Sequence, residues 1–397
     1  MNNFEYYNPV RILFGAGELK RIGEEAKKIG HNVCLVSYKE LNFLKPLMDK
    51  IEGLLRDAGL NVFTFYEAEP NPEITTIAQG ADYCKEIKAD MVIGVGGGSA
   101  MDAAKAIAAG VYYEGDLWNM VFSRHDHIGT VPPMKSLPTM MIPTLPATGS
   151  EMNNCAVVSN AALKEKSYIW STCLYPKTSI IDPELTLTLP AFQTACAAAD
   201  TISHVLEIYL NGEEDSDLQH YFQEGVMRTV IDNISKVIVT PGDISARSHL
   251  QWAATCAING WASPGDAWTP IHQIGHVLTS RHKVPHGASL AILMPAWMKY
   301  MYPRRMNQYY RFAKNVMQVN VENKTREDVV LEGISRFESF LSSIKVPLTL
   351  REENITLEDL PYIVEGVVKV SFGQDGMLKC IPPVSREDVM AVLKLAF

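Results

Sequence analysis

Residues 91–110 read MVIGVGGGSAMDAAKAIAAG: an unbroken apolar run, the turn Gly94-Val95-Gly96-Gly97-Gly98-Ser99, then an alanine-rich stretch. A continuous apolar run is what a parallel strand covered on both faces requires. Ala100 to Gly110 predicts a helix. Glycines between strand and helix let a ligand approach the backbone while the first helical N–H groups point outward, which suits a pyrophosphate. The turn is not the six-residue dinucleotide fingerprint, so its meaning comes from the strand before it and the helix after it. Asp102 reads as a group that caps or steadies the helix start.

Working outward toward the N-terminus, Val10 to Phe14 alternates as a strand and enters Gly15-Ala16-Gly17, where Lys20 takes the place of a third glycine. Leu19, Ile22, Ala26 and Ile29 recur at helical spacing. Strand Val33 to Val36, an amphipathic run over 46–58, strand Val62 to Phe65 and a helix ending near Lys88 follow. Toward the C-terminus, Thr139 to Pro143 reads as a strand, and Thr144 to Glu151 as the turn after it, with hydroxyls and a glycine suited to cofactor contacts. Residues 155–158, 166–169 and 179–181 add short strands. Strand and helix alternate at βα spacing, so residues 1–189 are expected to form a doubly wound α/β dinucleotide-binding domain.

After Leu189-Pro190 helical periodicity takes over, through 191–210, 218–239, 249–261, 285–301, 306–319 and 326–344. Residues 190–397 are expected to form an all-α domain. Within it, Asp200 and His204 stand four apart in TACAAADTISHVLEIYL, one above the other on a single helical face. In IHQIGHVLTSRHKVPHG, His276 again follows His272 by four, and His286 closes the segment. Three imidazoles and a carboxylate converging between helices would suit a divalent metal such as iron, zinc, nickel or copper. A histidine in an apolar helix also fits a hydrogen-bonded core residue, and Asp200 also fits a helix cap.

With 47% hydrophobic and 20% charged residues the chain has the composition of an ordinary globular protein, and its length suits two domains. The net charge of −9, with Lys and Arg scattered, argues against nucleic acid or anionic membrane surfaces as partners. No apolar run approaches the ~20 residues of a membrane span, and the N-terminus lacks the pattern of a signal peptide. Seven widely spaced cysteines, with no C-x-x-C pair, read as free thiols of a reducing cytoplasm.

Taken together, NPVRILFGAG, GVGGGSAMDAAKAIA, PTLPATGSE, DPELTLTLP, Asp200-x-x-x-His204 and His272-x-x-x-His276 followed by PHG resemble the iron-containing (group III) alcohol dehydrogenases in order and spacing over nearly the whole chain. The likeness is greatest to the butanol dehydrogenase-like, NADPH-dependent aldehyde reductase branch. It implies a dehydroquinate synthase-like nucleotide domain, a helical metal domain, and Fe2+ or Zn2+ held by Asp200, His204, His272 and His286. It implies that His276 lies beside the metal and assists catalysis. Gly96, Gly97, Gly98 and Ser99 would hold the pyrophosphate, with Thr144, Leu145 and Thr148 near the nicotinamide. The implied activity is NAD(P)-dependent hydride transfer between a small primary alcohol and its aldehyde, such as butanol and butanal, by a homodimer.

One departure concerns the cofactor. Relatives of this branch carry a glycine-rich turn after the second strand, whereas this chain has Ser37-Tyr38-Lys39-Glu40. No acidic residue ends the strand. A hydroxyl, an aromatic face and an ammonium from Ser37, Tyr38 and Lys39 would make a pocket for a 2′-phosphate, predicting NADP. With Lys39 in solvent and Glu40 on the ribose hydroxyls, NAD would be preferred instead. Two rival activities stay open at this point. Arg281 and Lys283 could serve the anionic substrate of a polyol-phosphate dehydrogenase of the same fold, although short charge runs mostly face water. A metal-dependent hydrolase would leave the phosphate turn without a use.

Overall fold

The computed structural model of the chain describes residues 3–122, 129–263 and 268–397. The chain divides into two compact units, one reaching to Leu189 and the other starting at Pro190, with Phe4–Tyr6 grouped with the latter.

The first unit is built on strands β1 (Arg11–Phe14), β2 (Asn32–Tyr38), β3 (Asn61–Ala68), β4 (Met91–Gly96), β5 (Thr139–Pro143) and β8 (Thr178–Ile181). They form one parallel sheet in the order β1-β8-β5-β4-β2-β3. Successive residues of a strand point to opposite faces, and the core is divided accordingly. Val33, Leu35, Ile93, Val95, Met140 and Ile142 pack with Ile22, Ile51 and Leu55, from helices α1 (Ile22–Lys27) and α2 (Lys45–Asp57). Cys34, Val36, Val92 and Met141 pack on the other face with Ile77, Met101 and Ala104, from α3 (Ile74–Glu86) and α4 (Gly98–Gly110). A sheet covered on both faces explains the apolar runs that lack alternation. The order turns back between β2 and β4, where a doubly wound sheet opens a crevice at its carboxyl edge.

The strands expected at 155–158 and 166–169 form as β6 (Cys155–Asn160) and β7 (Glu165–Trp170), in a separate two-stranded sheet. They pair antiparallel with each other, because the short turn between them permits a hairpin and not a crossover. Asp102 does not cap its helix. The N-cap position is Gly97, and the Asp102 carboxylate instead accepts from the Ser150 hydroxyl at 2.6 Å and the Val157 N–H at 3.0 Å. Lys105, three residues on and fully buried, donates to the carbonyls of Asn153 and Cys155 at 3.1 and 2.7 Å. Burial pushes its ammonium down to about 8. One face of α4 thus pins the segment that follows β5.

The second unit is helical: α5 (Ala191–Asn211), α6 (Asp217–Val239), α7 (Ile244–Ala257), α8 (Pro270–His282), α9 (His286–Met301), α10 (Met306–Asn315), α11 (Arg326–Ser343), α12 (Leu360–Ser371) and α13 (Arg386–Leu395). α5 is buried along nearly its whole length, in a core shared with α9. α7 begins five residues earlier than the expected 249–261. The Asp243 carboxylate caps the Ala246 N–H at 2.9 Å and fixes the start there. α10 stops at Asn315, short of the expected Val319; Gln318 has φ 53, outside helical backbone. Among the described residues no helix is long and apolar enough to cross a membrane, and none of the seven cysteines forms a disulfide.

Candidate metal centre and dinucleotide turn

Asp200 lies in the middle of α5, so a helix-capping role for it is closed. His204 follows one turn later on the same face, His272 sits in the first turn of α8, and His286 is the first residue of α9. Glycine lets these helices meet. A Cβ on Gly287 would stand 2.0 Å from the Cys196 carbonyl oxygen, so α9 rests against the backbone of α5 just beside His286.

The three imidazoles aim at one atom. Oδ1 of Asp200 stands 3.7 Å from Nε2 of His204, 3.5 Å from Nε2 of His272 and 3.6 Å from Nε2 of His286. These separations are long for N–H···O hydrogen bonds, which centre near about 2.9 Å. They are close to the edge of a tetrahedron with ligand bonds of about 2.0–2.2 Å, which is about 3.3–3.6 Å. Ligand atoms of Asp200, His204 and His272 all lie within 4.8 Å of one another. Among the described residues, Oδ1 of Asp200 and Nε2 of His272 are buried without a hydrogen-bond partner. Two such orphaned atoms would be costly in an interior. Three nitrogens and a carboxylate oxygen fit a divalent cation, and such an ion would satisfy both.

The electrostatics follow the same geometry. Burial alone would raise the pKa of Asp200, and the facing imidazoles outweigh it, holding the carboxyl well below its usual range. Burial pushes His204 down to about 4. Burial opposes charge on His272 too, but Glu207 and Asp200 on either side of its ring outweigh that and push it up to about 9. His276 stands one turn after His272 in α8. Its ring centroid is 6.2 Å from that of His272 and 5.4 Å from that of His286, so it borders the cluster.

Family models for the iron-containing alcohol dehydrogenases match both halves of the chain. One covers residues 9–183, and the model of the C-terminal part of the family covers residues 194–397. The chain belongs to the iron-containing alcohol dehydrogenase family. It is 35% identical to NADH-dependent butanol dehydrogenase A of Clostridium acetobutylicum, over the full length of both chains. It is 30% identical to the NADPH-dependent aldehyde reductase YqhD of Escherichia coli, over 95% of each. The crystal structure of NADH-dependent butanol dehydrogenase A from Thermotoga maritima superposes with a TM-score of 0.92 at 37% identity, covering 100% of this chain and 99% of that one. This dehydrogenase is therefore an alcohol and aldehyde oxidoreductase, and the hydrolase alternative falls away.

In the other unit of the dehydrogenase, the residues singled out for cofactor contacts gather at the carboxyl ends of β4 and β5. Gly96 has φ 145, and a Cβ there would meet Ala100 at 2.8 Å and the Tyr38 ring at 2.9 Å. A Cβ on Gly98 would fall 2.4 Å from the Thr148 methyl group, and one on Gly97 would lie 3.5 Å from Leu145. The Thr144 N–H donates to the Gly96 carbonyl at 2.9 Å. The Ser99 hydroxyl accepts from the Asn71 N–H at 3.1 Å, which leaves its own proton free to donate. Gly96, Gly97, Gly98, Ser99, Thr144, Leu145 and Thr148 thus form one turn system.

Ser37, Tyr38 and Lys39 do not form one pocket beside it. Ser37 is fully buried and its hydroxyl donates to the Val95 carbonyl at 3.0 Å. Tyr38 packs against the glycine turn, where loss of surrounding water pushes its phenol up to about 12. Lys39 is exposed and pairs with Glu67 at 3.3 Å. Arg281 and Lys283 are exposed at the end of α8, as a solvated turn.

Sequence reasoning overlooked Glu207. It is fully buried, one turn beyond His204 on α5, and its carboxylate receives the Nδ1–H of His272. An acid seven residues after Asp200, inside an apolar helix, was the available signal.

Proposed function

We propose that this dehydrogenase interconverts small primary alcohols and aldehydes, butanol and butanal among them, using a nicotinamide dinucleotide and a divalent metal held by Asp200, His204, His272 and His286. The observation that carries the reading is the convergence of three Nε2 atoms on Oδ1 of Asp200 at 3.5–3.7 Å. When bound, the ion supplies Lewis acidity toward the substrate oxygen. Asp200 contributes the negative charge of the ligand set, and the three rings contribute neutral nitrogens. His276, bordering the cluster, is the ring suited to exchange a proton with the substrate. The turn from Gly96 to Ser99 takes the pyrophosphate at the N-terminus of α4, with Thr144, Leu145 and Thr148 toward the nicotinamide. Iron is the expected metal from the family, and zinc fits the same donors.

Between the two dinucleotides, the arrangement at the end of β2 favours NADH over the NADPH expected from the residue types alone. The Ser37 hydroxyl is committed to Val95, and Lys39 shares its charge with Glu67, an acid that would repel a 2′-phosphate. Of four relatives at 33–36% identity over nearly their full length, two are named NADH-dependent butanol dehydrogenases and two probable NADH-dependent butanol dehydrogenases. Assembly as a homodimer is part of the same proposal and is read by light scattering.

The test is anaerobic reconstitution with Fe2+ or Zn2+, followed by loss of reduced-nicotinamide absorbance with butanal, glyceraldehyde and its phosphate. Metal-dependent turnover of butanal above the other two is expected. Preference for the phosphorylated aldehyde would overturn the substrate class.

A further inference from the structure

Among the described residues, the Glu207 carboxylate is met only by donors. Oε2 accepts from the backbone N–H groups of Ile271 at 2.6 Å and His272 at 3.2 Å, and Oε1 accepts from the Ser203 hydroxyl at 2.9 Å and from Nδ1 of His272. The two backbone groups belong to the first turn of α8, whose own N-cap residue, Thr269, makes no side-chain cap. Glu207 is thus the cap of α8, supplied from α5.

We propose that Glu207 is a positioning residue that joins the start of α8 to the metal centre: one buried carboxylate caps the helix and fixes the His272 tautomer that turns its Nε2 lone pair toward Asp200. The proposal rests on the metal-centre reading above. Its physical basis is the inventory of protons. A carboxylate facing Nδ1 holds a proton on that nitrogen, so in the neutral ring, the form that ligates a metal, the bare nitrogen is Nε2. Nε2 of His272 is the atom 3.5 Å from Oδ1 of Asp200. His204 has no comparable support, because its Nδ1 is buried without a partner among the described residues. The anchoring therefore acts on His272, the ligand that α8 delivers.

A glutamine has the same shape but cannot do both tasks. With its NH2 toward the ring, Nδ1 must become an acceptor, and the proton moves to Nε2, facing Asp200 in the wrong tautomer. With its NH2 toward Ile271 and His272, two backbone donors face a third donor and the cap is lost. Either orientation breaks one of the two functions.

The test compares Zn2+ affinity, by chelator competition, in the wild type and in Glu207→Gln. The expected result is a loss of roughly 10- to 100-fold, the range for removing a partner of a ligating imidazole. Equal affinity in the two proteins overturns the proposal. If the variant does not fold, nitrogen-15 histidine spectra of the Zn2+-loaded wild type decide. A zinc-bound imidazole with a slowly exchanging, strongly downfield Nδ1–H supports the assignment, and zinc-bound rings that all lack one overturn it. A wild type that takes up no Zn2+ overturns the metal centre itself, and this proposal with it.

Discussion

Nε2 of His272 faces Oδ1 of Asp200 at 3.5 Å, with neither atom hydrogen-bonded and both buried. Two polar atoms held at that distance, from helices far apart in sequence, fit a gap that an ion would bridge better than a contact complete in itself. The remaining features of the helical unit sustain that gap. Glu207 orients the ring from behind, and Gly287 brings in the third imidazole.

Gly287→Ala tests the last point. Its methyl would lie 2.0 Å from the Cys196 carbonyl oxygen, a backbone atom with no room to yield. α9 must move away from α5, carrying His286 from Asp200. We expect destabilisation of about 1–3 kcal/mol in thermal or denaturant unfolding, with weaker metal binding. Unchanged stability and metal content would show that the helices do not need this close approach.

His276→Ala is expected to keep its metal while turnover falls roughly 10- to 10⁴-fold, the range for a general acid–base group. Metal analysis alongside kcat separates the possibilities. Metal loss on the scale of a ligand variant would make His276 part of the coordination set.

The glycine turn is best probed at Gly97. There the nearest atoms to an added Cβ are the Tyr38 hydroxyl at 3.0 Å and Leu145 at 3.5 Å, whereas at Gly98 it would collide with Thr148 at 2.4 Å. Gly97→Val therefore perturbs the protein least while filling the approach to the first N–H groups of α4. Dinucleotide affinity, followed by nicotinamide fluorescence, should fall sharply with metal content intact. Unaltered binding would make the turn an ordinary one.

Lys39→Ala addresses the cofactor. With Lys39 exposed and paired to Glu67, its removal should change KM for NADH and NADPH to a similar, small extent. A selective rise in KM for NADPH, together with wild-type turnover favouring NADPH, would restore the 2′-phosphate pocket that residue types suggested.

Much of this was legible in the sequence because it is written at short range. The strand, glycine turn and helix of 91–110 occupy adjacent residues, and Asp200 with His204 share a face through helical spacing alone. What was not legible depends on contacts distant in the chain. Asp102 looks like a local cap, but its partners, Ser150 and Val157, arrive from beyond β5. Ser37 looks available to a phosphate until the sheet places it under Val95. Glu207 carries a recognisable spacing, yet three of its four donors arrive only when α8 docks on α5. The strands of β6 and β7 were legible but their pairing was not, because short strands look alike whether they join a parallel sheet or pair with each other.

The most direct measurement is metal content after anaerobic loading with Fe2+ and desalting, in the wild type and in His272→Ala, with butanal turnover followed in the same samples. The account predicts about one ion per wild-type chain and a large loss of both metal and activity in the variant, with the α/β unit still folded. A His272→Ala protein that retains full metal and full turnover would contradict it.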